Sequence, residues 1–348
     1  MAIAPTRTTW PIVDGSQYEG SRIPSPIPTV KRVDPERVGT DDIFRINFGP
    51  NHPSTHGVLR LIVDLDGETV EGIEAVIGYL HTGFEKSMEG KTFWKCVTFS
   101  PRMDYVGFQN NELTFVLAAE KLLGLEIPTK ATWMRMLLSE LSRIHSHLIF
   151  LGTSALELGA VSMFWYCFRE REMILDLFEM VTGQRMHTRY FQIGGLAEDI
   201  PEGFYPECRT FVDWFPHALN DYLTLLDRNA IWLERMEGQP WIVDDRKIVL
   251  PPREELHTSM ESLIHHFKIV TEGFRVPEGE VYFPIESPRG ELGCYVVSDG
   301  GPKPWRVKFR APSFVALEAT ATCTHDALVA DLIAIVGSLD TVMGEVDR

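Results

Sequence analysis

The sequence predicts an α+β fold, a central helical bundle between antiparallel β elements near either end of the chain. Three observations predict it. Apolar residues alternate with period two in segments near both ends of the 348 residues. Apolar residues at helical spacing fill the long middle. No internal repeat interrupts that order.

Residues 1–44 are rich in Pro, Thr, Ser and charge without periodicity, and read as an extended arm. Over 58–65, Leu59, Leu61, Val63 and Leu65 alternate with Arg60, Ile62 and Asp64, a strand. Asp66-Gly67 turns the chain into a return strand over 70–77, with a bulge expected at Gly72. A helix begins near Asn110. Trp133, Met136, Leu137, Leu141, Ile144, Leu148 and Leu151 then repeat at helical spacing, with Pro128 near the start and Gly152 near the end. Further helices are expected over 164–181 (capped by Gly183), 202–226 and 254–271. Strands return at 282–285, 292–297 and 305–309, where Trp305, Val307 and Phe309 alternate with Arg306, Lys308 and Arg310. A last helix is expected over 327–339. The expected parts are the arm 1–44, a β-rich part 45–100, the bundle 101–275 and a C-terminal β part with final helix and tail, 276–348.

Composition excludes several classes. A formal net charge of −16 argues against nucleic acid and against adsorption to anionic lipid. The five cysteines form no C-x-x-C pair, so neither a disulfide framework nor zinc or iron–sulfur spacing is present, and a reducing compartment is the simplest reading. No signal-peptide pattern opens the sequence. The most apolar window, 148–168, carries Glu157, so any membrane connection is expected through partners.

Five places hold polar groups with chemical potential. In the loop from Asn47 to Gly57, Pro53 pushes His52 out of the helical region, so His52 and His56 cannot form a two-histidine helical metal face. The loop reads as a stiff presenter of His56, or as a turn whose imidazoles bond the backbone. Ser100-Pro101-Arg102-Met103-Asp104-Tyr105 gathers a cation, an acid and a phenol before a helix; an Arg102–Asp104 pair with a packed Tyr105 is the plainer reading. Glu157, among small and apolar neighbours, must reach a surface or a buried partner such as an imidazole. His187 follows a helix end, and the stretch from Asp340 to Arg348 is polar and abrupt. His145 reads as a satisfied core group, and His265 and His266 carry no assigned role.

At these residues the chain resembles the large quinone-site subunit of bacterial NADH:quinone oxidoreductase, the D component of respiratory complex I. The motifs are Gly49-Pro50-Asn51-His52-Pro53-Ser54-Thr55-His56-Gly57, Gly78-Tyr79-Leu80-His81-Thr82-Gly83, Pro101-Arg102-Met103-Asp104-Tyr105, Glu140-Leu141-Ser142-Arg143, Phe168-Arg169-Glu170-Arg171-Glu172, Ser298-Asp299-Gly300-Gly301, Arg310-Ala311-Pro312-Ser313-Phe314 and Gly344-Glu345-Val346-Asp347-Arg348. The resemblance implies a fold akin to the nickel–iron hydrogenase large subunit. Asp104, Gly107, Val342 and Glu345 stand where such hydrogenases carry metal-binding thiolates, so no such metal is expected. The resemblance implies that the vacated cavity takes a quinone head group, bonded by His56 and Tyr105. His52 belongs to the same pocket, Glu157 pairs with the loop histidine, and Asp340, Val342, Glu345 and Arg348 line the cavity. Arg102 and His187 are implied near the terminal [4Fe–4S] cluster of a small partner subunit. No metal or cluster is expected on this chain; NAD, FMN and iron–sulfur clusters belong to other peripheral-arm subunits. A membrane-arm subunit is implied at the quinone entry, and the cytoplasmic side of the bacterial inner membrane as location. In one respect the chain departs from the family. The long block that relatives carry between the counterparts of Leu233 and Met236 is missing. A non-catalytic assembly form of the same fold is therefore the alternative.

Overall fold

The computed structural model describes residues 43–236 and 275–348. The helix expected over 254–271 and all but the last two residues of the arm lie outside them. The first sheet is antiparallel, in the order β1 (Phe44–Phe48), β2 (Arg60–Asp66), β3 (Thr69–Val76). Leu59, Leu61, Val63 and Leu65 are buried, as their alternation predicts. The hairpin turns through Gly67 at φ 61°. Asp64 pairs with Gly72 but Leu65 with Val70, so the bulge falls on Glu71, beside the expected glycine. Strand β1 lies where no element was expected, and its Phe44, Ile46 and Phe48 face Leu65, Val63 and Leu61.

This sheet packs on the chain's far end. Leu317 of α8 (Pro312–Cys323), Leu332 and Val336 of α9 (Leu332–Ser338), and Met343 and Val346 of α10 (Met343–Asp347) share its core. The final helix was expected from 327. It starts at Leu332 because the preceding backbone bonds the hairpin instead: Val70 N–H donates to Ala327 O (2.8 Å) and Val329 N–H to Glu68 O (2.8 Å).

The second sheet is a meander of β6 (Gly279–Ser287), β7 (Gly290–Ser298) and β8 (Pro304–Arg310), each longer than expected. Val307 and Phe309 point inward as expected, but Trp305 is exposed. Val297 pairs with Arg306 and Ser298 with Pro304, so Trp305 is the bulged residue and loses its place on the inner face.

Between the sheets lie α1 (Phe84–Glu89), α2 (Phe93–Cys96), α3 (Phe108–Leu123), α4 (Thr129–Glu157), α5 (Val161–Thr182), α6 (Phe204–Leu226) and α7 (Ala230–Met236). A short hairpin, β4 (Phe191–Gln192) with β5 (Gly195–Leu196), follows α5. Helix α4 runs past Gly152, which was expected to end it. A Cβ at Gly152 would lie 3.2 Å from Cys167 Cβ and 3.5 Å from Phe164 Cα, so this glycine lets α5 cross closely. The buried stripe of α4 is Met134, Leu138, Leu141, His145 and Leu148, and the expected Trp133 is exposed. Helix α5 does end at Gly183, which takes φ 70°.

A carboxyl locks the loop after α5. Glu112 of α3 is buried and accepts from Phe191 N–H (2.7 Å). Burial pushes its pKa up to about 8 against the opposing hydrogen bond. The folded chain thus holds a proton that the unfolded chain releases. Glu112's contribution is full below its ordinary pKa and fades as pH rises from about 4.5 to about 8. Glu112→Gln should flatten the decline of the subunit's unfolding midpoint across that window. An unchanged pH profile would refute the protonated state.

Candidate functional site

Four segments meet around the 3₁₀ turn Pro53–Thr55. Pro53 sits at the first position of this turn, where a missing N–H costs nothing, so the loop contains one helical turn that its sequence had argued against. His52 is extended at φ −140°, as a residue before proline must be. Its Nδ1 accepts from Ser54 N–H (3.2 Å) and its ring stacks on Phe48 at 4.5 Å. His52 therefore caps the turn. His56 takes the left-handed conformation at φ 55°, which turns its side chain out of the loop. Its ring reaches solvent and makes no hydrogen bond to the described residues. The protein packed around it still lowers its pKa by desolvation, and the field of Arg289 lowers it further.

Glu157 ends α4 on the other side of the turn. Ser54 Oγ–H donates to its carboxylate, and burial outweighs that bond, raising its pKa to about 6. Glu157 is thus linked to Ser54, two residues before His56, and not hydrogen-bonded to His56 as the resemblance implied. Gly337 of α9 makes room: a Cβ there would lie 3.3 Å from Glu157 Oε2. With Phe150, Leu151, Trp232 and Gly337, Glu157 borders a cavity of about 30 Å³, roughly one water.

Tyr105 lies half-buried between the 3₁₀ turn Ser100–Arg102 and α3. Its ring rests on Gly344 of α10, where a Cβ would stand 3.1 Å from Cε1. Burial raises the phenol's pKa, Asp104 raises it further, and Arg289 opposes both. On the far side of the same loop, His187 Nδ1–H donates to Pro101 O (3.1 Å), which brings His187 beside the exposed Arg102. Desolvation is the main cause of His187's lowered pKa.

The C-terminal residues are placed differently from one another. Arg348 Nη1 donates to Phe309 O (2.7 Å), so it anchors the chain end to β8 instead of lining an open space. Val342 and Glu345 are buried. Ser313 Oγ–H donates to Glu345 Oε2, and burial raises that carboxyl's pKa. Asp340 takes φ 45°, and burial lifts its pKa to about 6.

Arg289, in the turn between β6 and β7, was not singled out from the sequence. Its side chain is only 3% exposed. Nη1 donates to Asp104 Oδ2 (2.8 Å), Nη2 to Ser146 Oγ (2.9 Å), and Nε to Asp340 O (2.7 Å). Asp104, Gly107, Val342 and Glu345, the positions of the absent thiolates, do converge here. Asp104 Oδ2 would meet a Gly107 Cβ at 2.5 Å, and Glu345 feels the Asp104 charge. The space is not the hollow that was expected, because Arg289 and Asp104 fill it. The accessible groups, His56 and Tyr105, face outward from that filled centre. His147 was also passed over; burial and the Arg289 and Arg143 charges hold its pKa down to about 4.

Among the described residues no group of three or more His, Cys, Asp or Glu could hold a metal ion, and no helix is long and apolar enough to cross a membrane. The family model of the respiratory-chain NADH dehydrogenase 49 Kd subunit matches residues 157–239 and 233–348. The chain belongs to that family. The NADH-quinone oxidoreductase D 2 subunit of Chloroflexus aurantiacus is 43% identical over 408 aligned positions, covering 93% of this chain and 99% of that protein. The D 1 subunit of Solibacter usitatus is 44% identical, over 87% of this chain and 93% of its own. The D subunit of Deinococcus radiodurans is 43% identical, over 88% and 96%. The family match falls into two stretches that meet at 233–239, directly after α7.

Proposed function

We propose that this chain is a core peripheral-arm subunit of proton-translocating NADH:quinone oxidoreductase and that quinone is reduced between Tyr105 and His56. The observation that supports it most is the state of those two groups. A phenol and an imidazole stand near one buried cation, and no hydrogen bond within the described chain engages either side chain. A quinone presents two carbonyl oxygens, each needing a donor. The phenol, its pKa raised, keeps its proton at neutral pH; the imidazole, its pKa lowered, is neutral there and donates through one N–H. Reduction adds two electrons and two protons, and both protons can come from these donors as negative charge develops on the oxygens.

The electrons come from a small partner subunit carrying the terminal [4Fe–4S] cluster, against which Arg102 and His187 lie. A cation there favours the reduced cluster, and the imidazole can take up a proton with the electron. NAD, FMN and the remaining clusters belong to other peripheral-arm subunits. Quinone enters past a membrane-arm subunit, and the chain sits on the cytoplasmic side of the bacterial inner membrane through those partners.

Glu157, coupled to the histidine loop through Ser54, resupplies the proton lost by His56. A carboxyl with a pKa of about 6 should give kcat a titration step near that pH. In Glu157→Gln membranes that step should vanish and turnover should drop by roughly 10-fold or more, with the complex intact. A retained step would rule out this role.

The short junction supports the second reading, an assembly form without catalysis. Beyond α6, helix α7 leaves Ile231 60% and Leu233 48% exposed, as a bundle missing neighbours would. Membranes in which this chain is the sole version decide between the two. Quinone reductase activity supports catalysis; an assembled complex without any supports the scaffold.

A further inference from the structure

We propose that Arg289 is a positioning residue that fixes the Tyr105 phenol by holding the turn on which it stands. The inference rests on Tyr105 being the head-group donor proposed above. Asp104, the residue before Tyr105, uses its two carboxylate oxygens for different tasks. Oδ1 accepts from Val106 N–H (3.1 Å) and Gly107 N–H (2.8 Å), closing the turn that follows the phenol. Oδ2 accepts from Arg289 Nη1 (2.8 Å), tying that turn to the β6–β7 hairpin. From the opposite side, His145 Nδ1–H donates to Val106 O (3.1 Å). The backbone carrying Tyr105 is therefore gripped on both faces, while Gly344 supports the ring.

Arg289 suits the task because it serves three segments at once. Its remaining donors reach Ser146 of α4 and both the carbonyl and the carboxylate of Asp340. A planar guanidinium can satisfy all of these together, whereas a lysine ammonium cannot span them. The charge also matters. Asp104, Asp340 and Glu345 are carboxyls within its field, and the same cation acts on Tyr105 and His56. A buried ion pair that served stability alone would have no reason to converge on the phenol's own turn.

The test uses the assembled complex in membranes. Three variants are compared with the parent: Arg289→Lys, Arg289→Gln, and the neutral pair Arg289→Gln with Asp104→Asn, which leaves no unpaired charge on Asp104. NADH oxidation by a soluble acceptor that takes electrons upstream of quinone reports assembly. With a short-chain quinone, Arg289→Lys and the neutral pair should lower kcat at least 10-fold and change KM less than threefold, with upstream oxidation retained. In a Tyr105→Phe background, Arg289→Lys should add no further loss, because it acts through the phenol. Parental kcat in Arg289→Lys, or losses that multiply in the double variant, would overturn the proposal. So would failure of every variant to assemble, which would make Arg289 a folding residue only. Should Tyr105→Phe itself leave turnover unchanged, the head-group reading fails first. Should Tyr105→Phe abolish turnover while Arg289→Lys does not, only the role of Arg289 fails.

Discussion

With phenylalanine at position 105, NADH:quinone turnover should fall by roughly 10²–10⁴-fold while the complex still assembles. Phenylalanine keeps the ring that rests on Gly344, so Tyr105→Phe removes the hydroxyl and little else. The phenol's raised pKa leaves it protonated in the resting site, a donor ready for the oxygen on which charge develops. Losing a donor that matters most in the transition state lowers kcat more than it raises KM. His56→Asn should act on a similar scale. Asparagine tolerates the left-handed backbone at φ 55°, so the loop survives while the ring is lost. The two losses should not multiply in the double variant, because both donors serve one substrate. Parental turnover in Tyr105→Phe membranes, assembly being equal, would end the assignment.

How far the sequence could be read depended on the range of the forces involved. Period-two burial of Leu59, Leu61, Val63 and Leu65 is local, and the structure follows it. The glycine at 183 ends a helix because its own backbone must turn left-handed, again a local matter. Gly152 looked the same but answers to Cys167 on another helix, so the expected helix end was wrong. Residues 327–331 carry helical pattern, yet their backbone groups are claimed by the β2–β3 hairpin. The site was legible only in pieces. Local chemistry marked His56, Tyr105 and Glu157 as candidates, and resemblance alone joined them. Arg289 was invisible because its partners Asp104, Ser146 and Asp340 lie 185, 143 and 51 residues away. A turn arginine beside glycine ordinarily faces water, and nothing nearby says that this one folds inward.

Loss of Arg135 should be the costliest single change to stability among the described residues. Its side chain is fully buried, with Nη1 and Nη2 donating to Glu120 Oε2 (2.9 Å) and Oε1 (2.7 Å). Nη2 also donates to Gln192 O and Gly195 O, each at 2.8 Å, while Glu120 Oε1 accepts from Gly194 N–H (2.7 Å). One ion pair thus pins the β4–β5 hairpin to α3 and α4. Arg135→Ala would strand a buried carboxylate and two carbonyls, at a cost of about 3–5 kcal/mol. The damage should extend to function, since His187 precedes that hairpin by four residues and depends on it for its place beside Arg102. Replacing Arg135 and Glu120 together by Met and Leu should cost less, because no charge is left unpaired, although Gly194 N–H would lose its acceptor. Urea unfolding of the three proteins, parent, single and double, measures this order. A loss below about 1 kcal/mol in Arg135→Ala, the range of a solvent-exposed pair, would mean that the pair does not hold the hairpin.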